Sequence, residues 1–417
     1  MTAIQITYSF IFFLSASYLL QVWLSRRHTQ HILAHRSEVP KAFADKISLE
    51  SHQKAADYTI TRNKFGLIEL RVSTVLLAIW TLGGGLQLLD DLIRSLGYSS
   101  ILTGVLVIMG LSIISGIIDI PFSLYKTFVI EEKFGFNRLT LKMFFTDMLK
   151  QTAVMLVIGL PFLSFVLWLM NDASPYWWLY VWGSWFGFSM LMMWLYPAFI
   201  APIFNKFTPL EEPELKNKIS SLLERCGFTS NGVFIMDGSK RSSHGNAYFT
   251  GFGDNKRIVF FDTLLNSLQH DEIEAVLAHE LGHFKRGHIK KRILSMALMS
   301  LGGLALLAWL IDQSFIYEGL GVTEPSFYMA LILFMLVTPV ISIFLNPLFS
   351  LMSRKHEFEA DEFAAKNSDA SNLITALVKL YEENSNTLTP DPLYSAFYDS
   401  HPPAPVRIAH LEKAGQT

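Results

Sequence analysis

"EAVLAHELGHFKRGH", residues Glu274–His288, sets two histidines, His279 and His283, four positions apart with Glu280 between them. On a helix that spacing puts both imidazoles on one face, where they can reach one ion. Glu280, next to the first histidine, is placed to take a proton from water polarised by that ion, the logic of an H-E-x-x-H metallopeptidase. The plain alternative is a helix whose histidines are solvated or packed into a core. A few residues later the chain enters a long apolar run at 291–311, so the surroundings decide the reading.

Of 417 residues, 51% are hydrophobic and 17% are charged, whereas ordinary soluble domains carry about a quarter charged. The net charge of −2 argues against nucleic acid as a partner. The one cysteine, Cys226, rules out an internal disulfide and any multi-cysteine zinc site. Seven stretches are long and apolar enough for about 30 Å of hydrocarbon, near 3–24, 71–89, 100–124, 152–171, 176–203, 291–311 and 326–350. The first lacks a preceding basic residue and a small-residue cleavage site, so it reads as a span and not as a cleaved signal.

Loop charges orient these spans. The segments 90–99, 172–175 and 312–325 carry Asp90, Asp91, Asp172, Asp312, Glu318 and Glu324, with Arg94 as their basic residue. Nearly all other lysines and arginines fall in 25–70, 125–151, 204–290 and 351–417. This predicts an external N-terminus, a cytoplasmic C-terminus and a cytoplasmic HELGH stretch. The expected architecture is a mainly α polytopic membrane protein with seven transmembrane helices and a small α+β zinc-metalloprotease unit on the cytoplasmic side. Its parts are a five-span membrane domain at 1–203, a protease segment at 204–290, spans six and seven at 291–350, and a cytoplasmic segment at 351–417.

Within 204–290, "EPELKNKISSLLERCG" reads as an amphipathic helix, and "GVFIMDG", "NAYFTGFG" and "KRIVFFDTLL" read as strands between turn residues. Asp271 and Glu274 fit a capping box at the head of the HELGH helix. After the last span, "KHEFEADEFAAKN" and "NLITALVKLYEEN" read as helices, followed by a Pro-rich tail.

A catalytic zinc needs a third protein ligand and an open position. His288 lies nine residues from His279, a rotation of about 900°, which puts it on the opposite face of an unbroken helix. The outstanding candidate is "HEFEAD", His356–Asp361, where Glu357 and Asp361 share a helical face. One can bind the metal while the other orients a ligand imidazole; Glu359 points roughly the other way. The alternative for this stretch is an acidic solvated helix.

"AHELGHFKRGH" and "SRKHEFEADEFA" resemble the two metal motifs of the type-1 CAAX prenyl protease family, integral-membrane zinc endopeptidases related to the bacterial heat-shock membrane protease. "DYTITRNKFG", "SLYKTFVIEEKFGFNRLT", "YPAFIAPIFNKFTPLEEPEL", "HGNAYFTGFG" and "SHPPAPVRIAHL" are similar too, so the likeness spans nearly the whole chain. It implies one zinc ion held by His279, His283 and Glu357. Glu280 would be the general base, Asp361 the carboxylate behind a ligand imidazole, and His401 a hydrogen-bond donor to the oxyanion or substrate backbone. The strand led by Asn246, Ala247 and Tyr248 would hold an extended peptide, and Arg407 would anchor a carboxylate or an acidic neighbour. The family's helices enclose a wide chamber, with which Asp119 near a span end is consistent; the alternative puts Asp119 at the headgroup level.

The expected partners are a membrane-associated or lipidated CAAX-type peptide or protein and the lipid bilayer. The expected compartment is a bacterial inner membrane, or the endoplasmic reticulum in a eukaryote. A rival reading is a polytopic channel, transporter or scaffold with a structural metal. A transporter should carry ionisable ligands within its spans, whereas here they lie just outside.

Overall fold

The computed structural model describes residues 1–172, 175–250 and 256–414. Six of its helices are long and apolar enough to cross a membrane: Ala3–His35, Ser100–Phe134, Leu141–Asn171, Trp177–Phe204, His288–Leu310 and Phe327–Asn367. The span expected at 71–89 is different. The helix Leu49–Trp80 stops at the "LGGG" turn and resumes at a 53° bend as Gly85–Arg94, so the total is seven only if that pair counts as one span. The "outside" charges Asp90 and Arg94 sit on this short helix and do more than mark a loop. Asp90 is fully buried, accepting from Arg94 Nε and from the Tyr328 hydroxyl, each at 2.6 Å.

The soluble elements form one unit around a four-stranded sheet, in the order β1 (Phe207–Pro209), β2 (Val233–Met236), β4 (Arg257–Phe261), β3 (Ala247–Thr250). β2 and β4 are parallel; both other pairs are antiparallel, and β3 lies at an edge. β4 reads "RIVFF", β-branched and aromatic residues whose Ile258, Val259 and Phe260 are buried, as suits a strand covered on both faces. Ala247 pairs with Phe260 and Thr250 with Arg257. The rest of the expected strand, Gly251–Gly253, lies outside the described residues.

The HELGH helix runs His270–Lys285 beneath this sheet, burying Ile273, Val276, Leu277 and Leu281. Its head is set two residues earlier than the Asp271–Glu274 reading. Glu272 accepts the Gln269 backbone N–H at 2.7 Å, while Asp271 pairs with Lys218 and Glu274 with Arg225. The Pro-rich tail is also ordered, with helices at Pro392–Tyr398 and Ala404–Ala414.

Two features couple this unit to the membrane helices. The helix Asn346–Asn367, which carries "HEFEAD", continues from the apolar helix Phe327–Ser342 through a short 3-10 turn at Ile343–Leu345. The HELGH helix in turn passes through one Gly287 turn into His288–Leu310. Both site-bearing helices are therefore ends of membrane-crossing ones. At the other pole, Asp391 of the tail accepts from Arg27 Nε with both carboxylate oxygens, at 3.0 and 2.9 Å, and so ties the tail to the first helix.

Candidate metal centre

His279 and His283 face one another across a turn of the HELGH helix, with Nε2 atoms 3.3 Å apart. Glu357 closes the triangle: its Oε2 is 3.5 Å from His279 Nε2 and its Oε1 is 3.3 Å from His283 Nε2. This close approach depends on Gly282. A Cβ there would stand 2.9 Å from Ala360 Cα, so a bare helix face lets the second helix cross at contact distance.

Hydrogen bonds behind the histidines fix which nitrogen carries the proton. Asp361 Oδ1 lies 2.8 Å from His279 Nδ1, which leaves the Nε2 lone pair free. His288 Nε2 donates to Glu359 Oε2 at 2.9 Å, so its Nδ1 accepts from His283 Nδ1 at 3.0 Å, and His283 Nε2 is also left as a lone pair. Two lone pairs and a carboxylate thus converge within 4.8 Å of each other.

That arrangement calls for a cation. Ligand atoms about 2.0–2.1 Å from a tetrahedral zinc sit about 3.3 Å from one another, which matches the separations here. Glu357 Oε2 points the same way. It is buried, and although His401 Nδ1 approaches to 2.6 Å, it has no well-formed hydrogen bond. Among the protein's own groups, burial and Arg407 push the His279 pKa down, but the carboxylates of Asp361 and Glu357 outweigh them and raise it to about 9. The centre draws positive charge to itself, and the donor set fits zinc.

Each expected residue can now be placed. Glu280 is half-buried beside His279, with neither hydrogen bond nor ion pair among the described residues. Arg407 is committed to the acidic neighbour: its Nε and Nη2 reach Asp361 at 2.9 and 2.5 Å, and the pair is buried. His401 is 61% exposed and lies against Glu357. Asn246, Ala247 and Tyr248 begin the sheet's edge, which touches the metal helix through the Phe249–Phe284 rings, 5.1 Å apart. Asp119 lines a cavity of about 550 Å³ with Glu69, Ser73 and Ser115.

The rotation that puts His288 on the opposite face assumes an unbroken helix. The helix in fact breaks at Gly287, whose φ of +69° turns the chain and brings His288 back against His283. The signal was present: Gly after Lys285–Arg286 is a common helix C-terminal cap. A second cluster, Tyr58, Glu131, His244 and Asn384, had no such signal, because it joins four distant segments.

Known proteins resemble the chain along its whole length. Residues 28–206 match the family described as CAAX prenyl protease N-terminal, five membrane helices, and residues 209–414 match peptidase family M48. The chain is 36% identical to the CAAX prenyl protease 1 homolog of Oryza sativa, over 96% of each chain. It is 35% identical to CAAX prenyl protease 1 of Saccharomyces cerevisiae, over 95% of this chain and 93% of that one. The human CAAX prenyl protease 1 homolog is 32% identical over 96% and 94%. The crystal structure of S. mikatae Ste24p superposes with a TM-score of 0.91 at 33% identity, covering 99% of this chain and all of that one.

Proposed function

The chain belongs to peptidase family M48 and is a membrane-embedded metallopeptidase related along its whole length to CAAX prenyl protease 1; from that premise we propose that it is a zinc endopeptidase cleaving membrane-associated or CAAX-type lipidated peptides. The carrying observation is the convergence of His279, His283 and Glu357 at mutual distances of 3.3–3.5 Å, with an orphaned buried oxygen on Glu357. His279, His283 and Glu357 would hold a zinc ion there, which would supply Lewis acidity to the scissile carbonyl and to water.

The chain's own groups do the rest. Glu280, with no other partner among the described residues, accepts the proton of the attacking water and returns it to the leaving amine. Asp361, itself held by Arg407, keeps His279 in the tautomer that offers Nε2. β3 supplies backbone donors and acceptors along which an extended peptide can pair, so that its scissile bond is held in register. His401, exposed beside Glu357, is available to hydrogen-bond the substrate backbone or the developing oxyanion. The loop charges favour a cytoplasmic catalytic face and an external N-terminus, with the bacterial inner membrane or the endoplasmic reticulum as the home membrane. A transporter reading lacks support, since the metal group lies beyond the apolar stretches of its helices.

The test is Glu280→Gln in the full-length protein. Zinc content should be unchanged, because no ligand is touched, while the cleavage rate should fall about 10²–10⁴-fold. Near-normal turnover would mean that another group is the base.

A further inference from the structure

Two cavities beside the protease unit share two lining side chains, Arg62 and Asn386. The first, about 560 Å³, is lined by His401, Tyr398, Asn386 and Arg62. The second, about 470 Å³, is lined by Asn246 at the start of the edge strand, by His244 and Asn386, and again by Arg62. Arg62 thus stands between Asn246, just before β3, and His401, whose Nδ1 lies 2.6 Å from Glu357.

Its guanidinium is held but not neutralised by contact. It lies over the Tyr58 ring, 5.3 Å from the centroid, with Nη1 3.5 Å from the Tyr58 hydroxyl. The nearby carboxylate, Glu131, is occupied by others: the Tyr58 hydroxyl donates to both oxygens at 2.8 and 3.0 Å, and His244 Nε2 lies at 3.5 Å. His244 is in turn fixed by Asn384 Oδ1 at 3.0 Å and by stacking on Phe136 at 4.3 Å. Among the described residues Arg62 has no ion pair within 4.0 Å. Arg241, the other cation of the second cavity, is bound to Asp147 at 2.9 Å. The result is a planar fork of donors, preorganised on an aromatic shelf and open to both cavities.

The direction of the substrate says what would reach it. Antiparallel pairing is the more stable form of strand addition. β3 runs from Ala247 to Thr250, so an antiparallel peptide has its C-terminal side at Ala247 and Asn246. That end enters the cavity that Arg62 lines. A parallel peptide would bring its N-terminal side there instead, and a free ammonium would meet a like charge.

We propose that Arg62 is a subsite for a carboxylate on the C-terminal side of the scissile bond, setting which peptides are cleaved without touching the reacting atoms. The proposal rests on the peptidase reading above. The carboxylate belongs either to the substrate's own C-terminus or to an Asp or Glu side chain near it. In both cases the chemistry is a bidentate, charge-assisted pair with the guanidinium, and losing such a bond lowers kcat/KM roughly 10- to 100-fold.

The experiment uses the zinc-loaded full-length protein in detergent and one internally quenched peptide in three forms. These are a free acid, a C-terminal carboxamide, and a carboxamide with one Asp placed after the scissile bond. The wild type should prefer a carboxylate-bearing form over the plain amide by about tenfold or more, chiefly in KM. Arg62→Met should collapse that ratio to about 1, and Arg62→Lys should restore it in part. Preference for the free acid identifies the C-terminus as ligand; preference for the Asp amide alone identifies the side chain. Equal losses on all three peptides in Arg62→Met, or no preference in the wild type, would overturn the proposal. So would loss of the preference in Lys126→Met, the other cation of the first cavity, with Arg62→Met unaffected. Failure of the zinc-loaded wild type to cleave any form would strike the peptidase reading itself, and this inference with it.

Discussion

Replacing Gly282 by alanine adds one methyl group at the crossing of the two ligand-bearing helices. The new Cβ would meet Ala360 Cα at 2.9 Å, Ala360 O at 3.1 Å and Phe363 Cβ at 3.1 Å. The nearest of these is backbone and cannot rotate away. Ordinary contact begins at 3.4 Å, so the helices must part by at least 3.4 − 2.9 = 0.5 Å. Glu357 lies one turn before Ala360 and moves with it, whereas metal–ligand distances tolerate only about ±0.2 Å. Overpacking of this kind costs about 1–3 kcal/mol, against which alanine returns at most about 1 kcal/mol of helix propensity. Zinc affinity should fall at least as far as when a ligand's supporting partner is lost, about 10–100-fold. Zinc retention against a graded chelator, read alongside thermal unfolding, measures both effects. Gly302→Ala is the control: it lies on a membrane-crossing helix with nothing within 4 Å of its added Cβ, and it should leave zinc binding unchanged. If Gly282→Ala keeps wild-type zinc retention and melting temperature, the close crossing does not set the ligand geometry.

Three further outcomes follow from the same geometry. Asp361→Asn leaves all three ligands in place but weakens the His279 tautomer lock and strands Arg407, so zinc affinity should drop about 10–100-fold; unchanged affinity in chelator competition would refute that role. Ala247→Pro removes a backbone N–H at the head of the edge strand, whereas Tyr248→Ala removes only a side chain. Cleavage should suffer more in the former with zinc content intact, and the reverse ranking would count against strand addition. A reporter fused after Thr417 should read as cytoplasmic, and an external reading would refute the orientation taken from loop charge.

The metal centre was legible in the sequence because its chemistry is local. Histidines four apart and a carboxylate pair four apart declare their helical faces, and apolar length declares most of the spans. What the sequence hid depends on breaks and on distant meetings. The 71–89 stretch is mostly apolar on both sides of the glycines, so its hydropathy does not reveal the bend at Leu82–Gly85. His288 lies outside the metal group, as the sequence suggests, but its place behind His283 is hidden because a rotation count holds only while the helix continues, and Gly287 ends it. The capping reading slipped by two residues because several acids crowd the helix start, and only packing shows that Asp271 and Glu274 serve Lys218 and Arg225 instead. Tyr58 and Arg62 are four apart on one helix, but Glu131, His244 and Asn384 join them through folding alone, and no spacing rule could have added those three.

The continuity of the last apolar helix with the helix bearing Glu357 makes that ligand the tip of a lever. From Ser350 to Glu357 is seven residues, about 10 Å of helix, so a rigid tilt of about 5° would sweep the carboxylate through about 1 Å. A motion of that size would dismantle the centre, yet spans tilt readily when bilayer thickness changes. The tip is clamped by the Gly282–Ala360 crossing and by Arg407 on Asp361, while the shaft carries weak points at Pro339 and at the 3-10 turn Ile343–Leu345. Bending at those joints would take up a tilt of the span before it reached the ligands, the arrangement a metal site needs at the end of a lipid-facing helix.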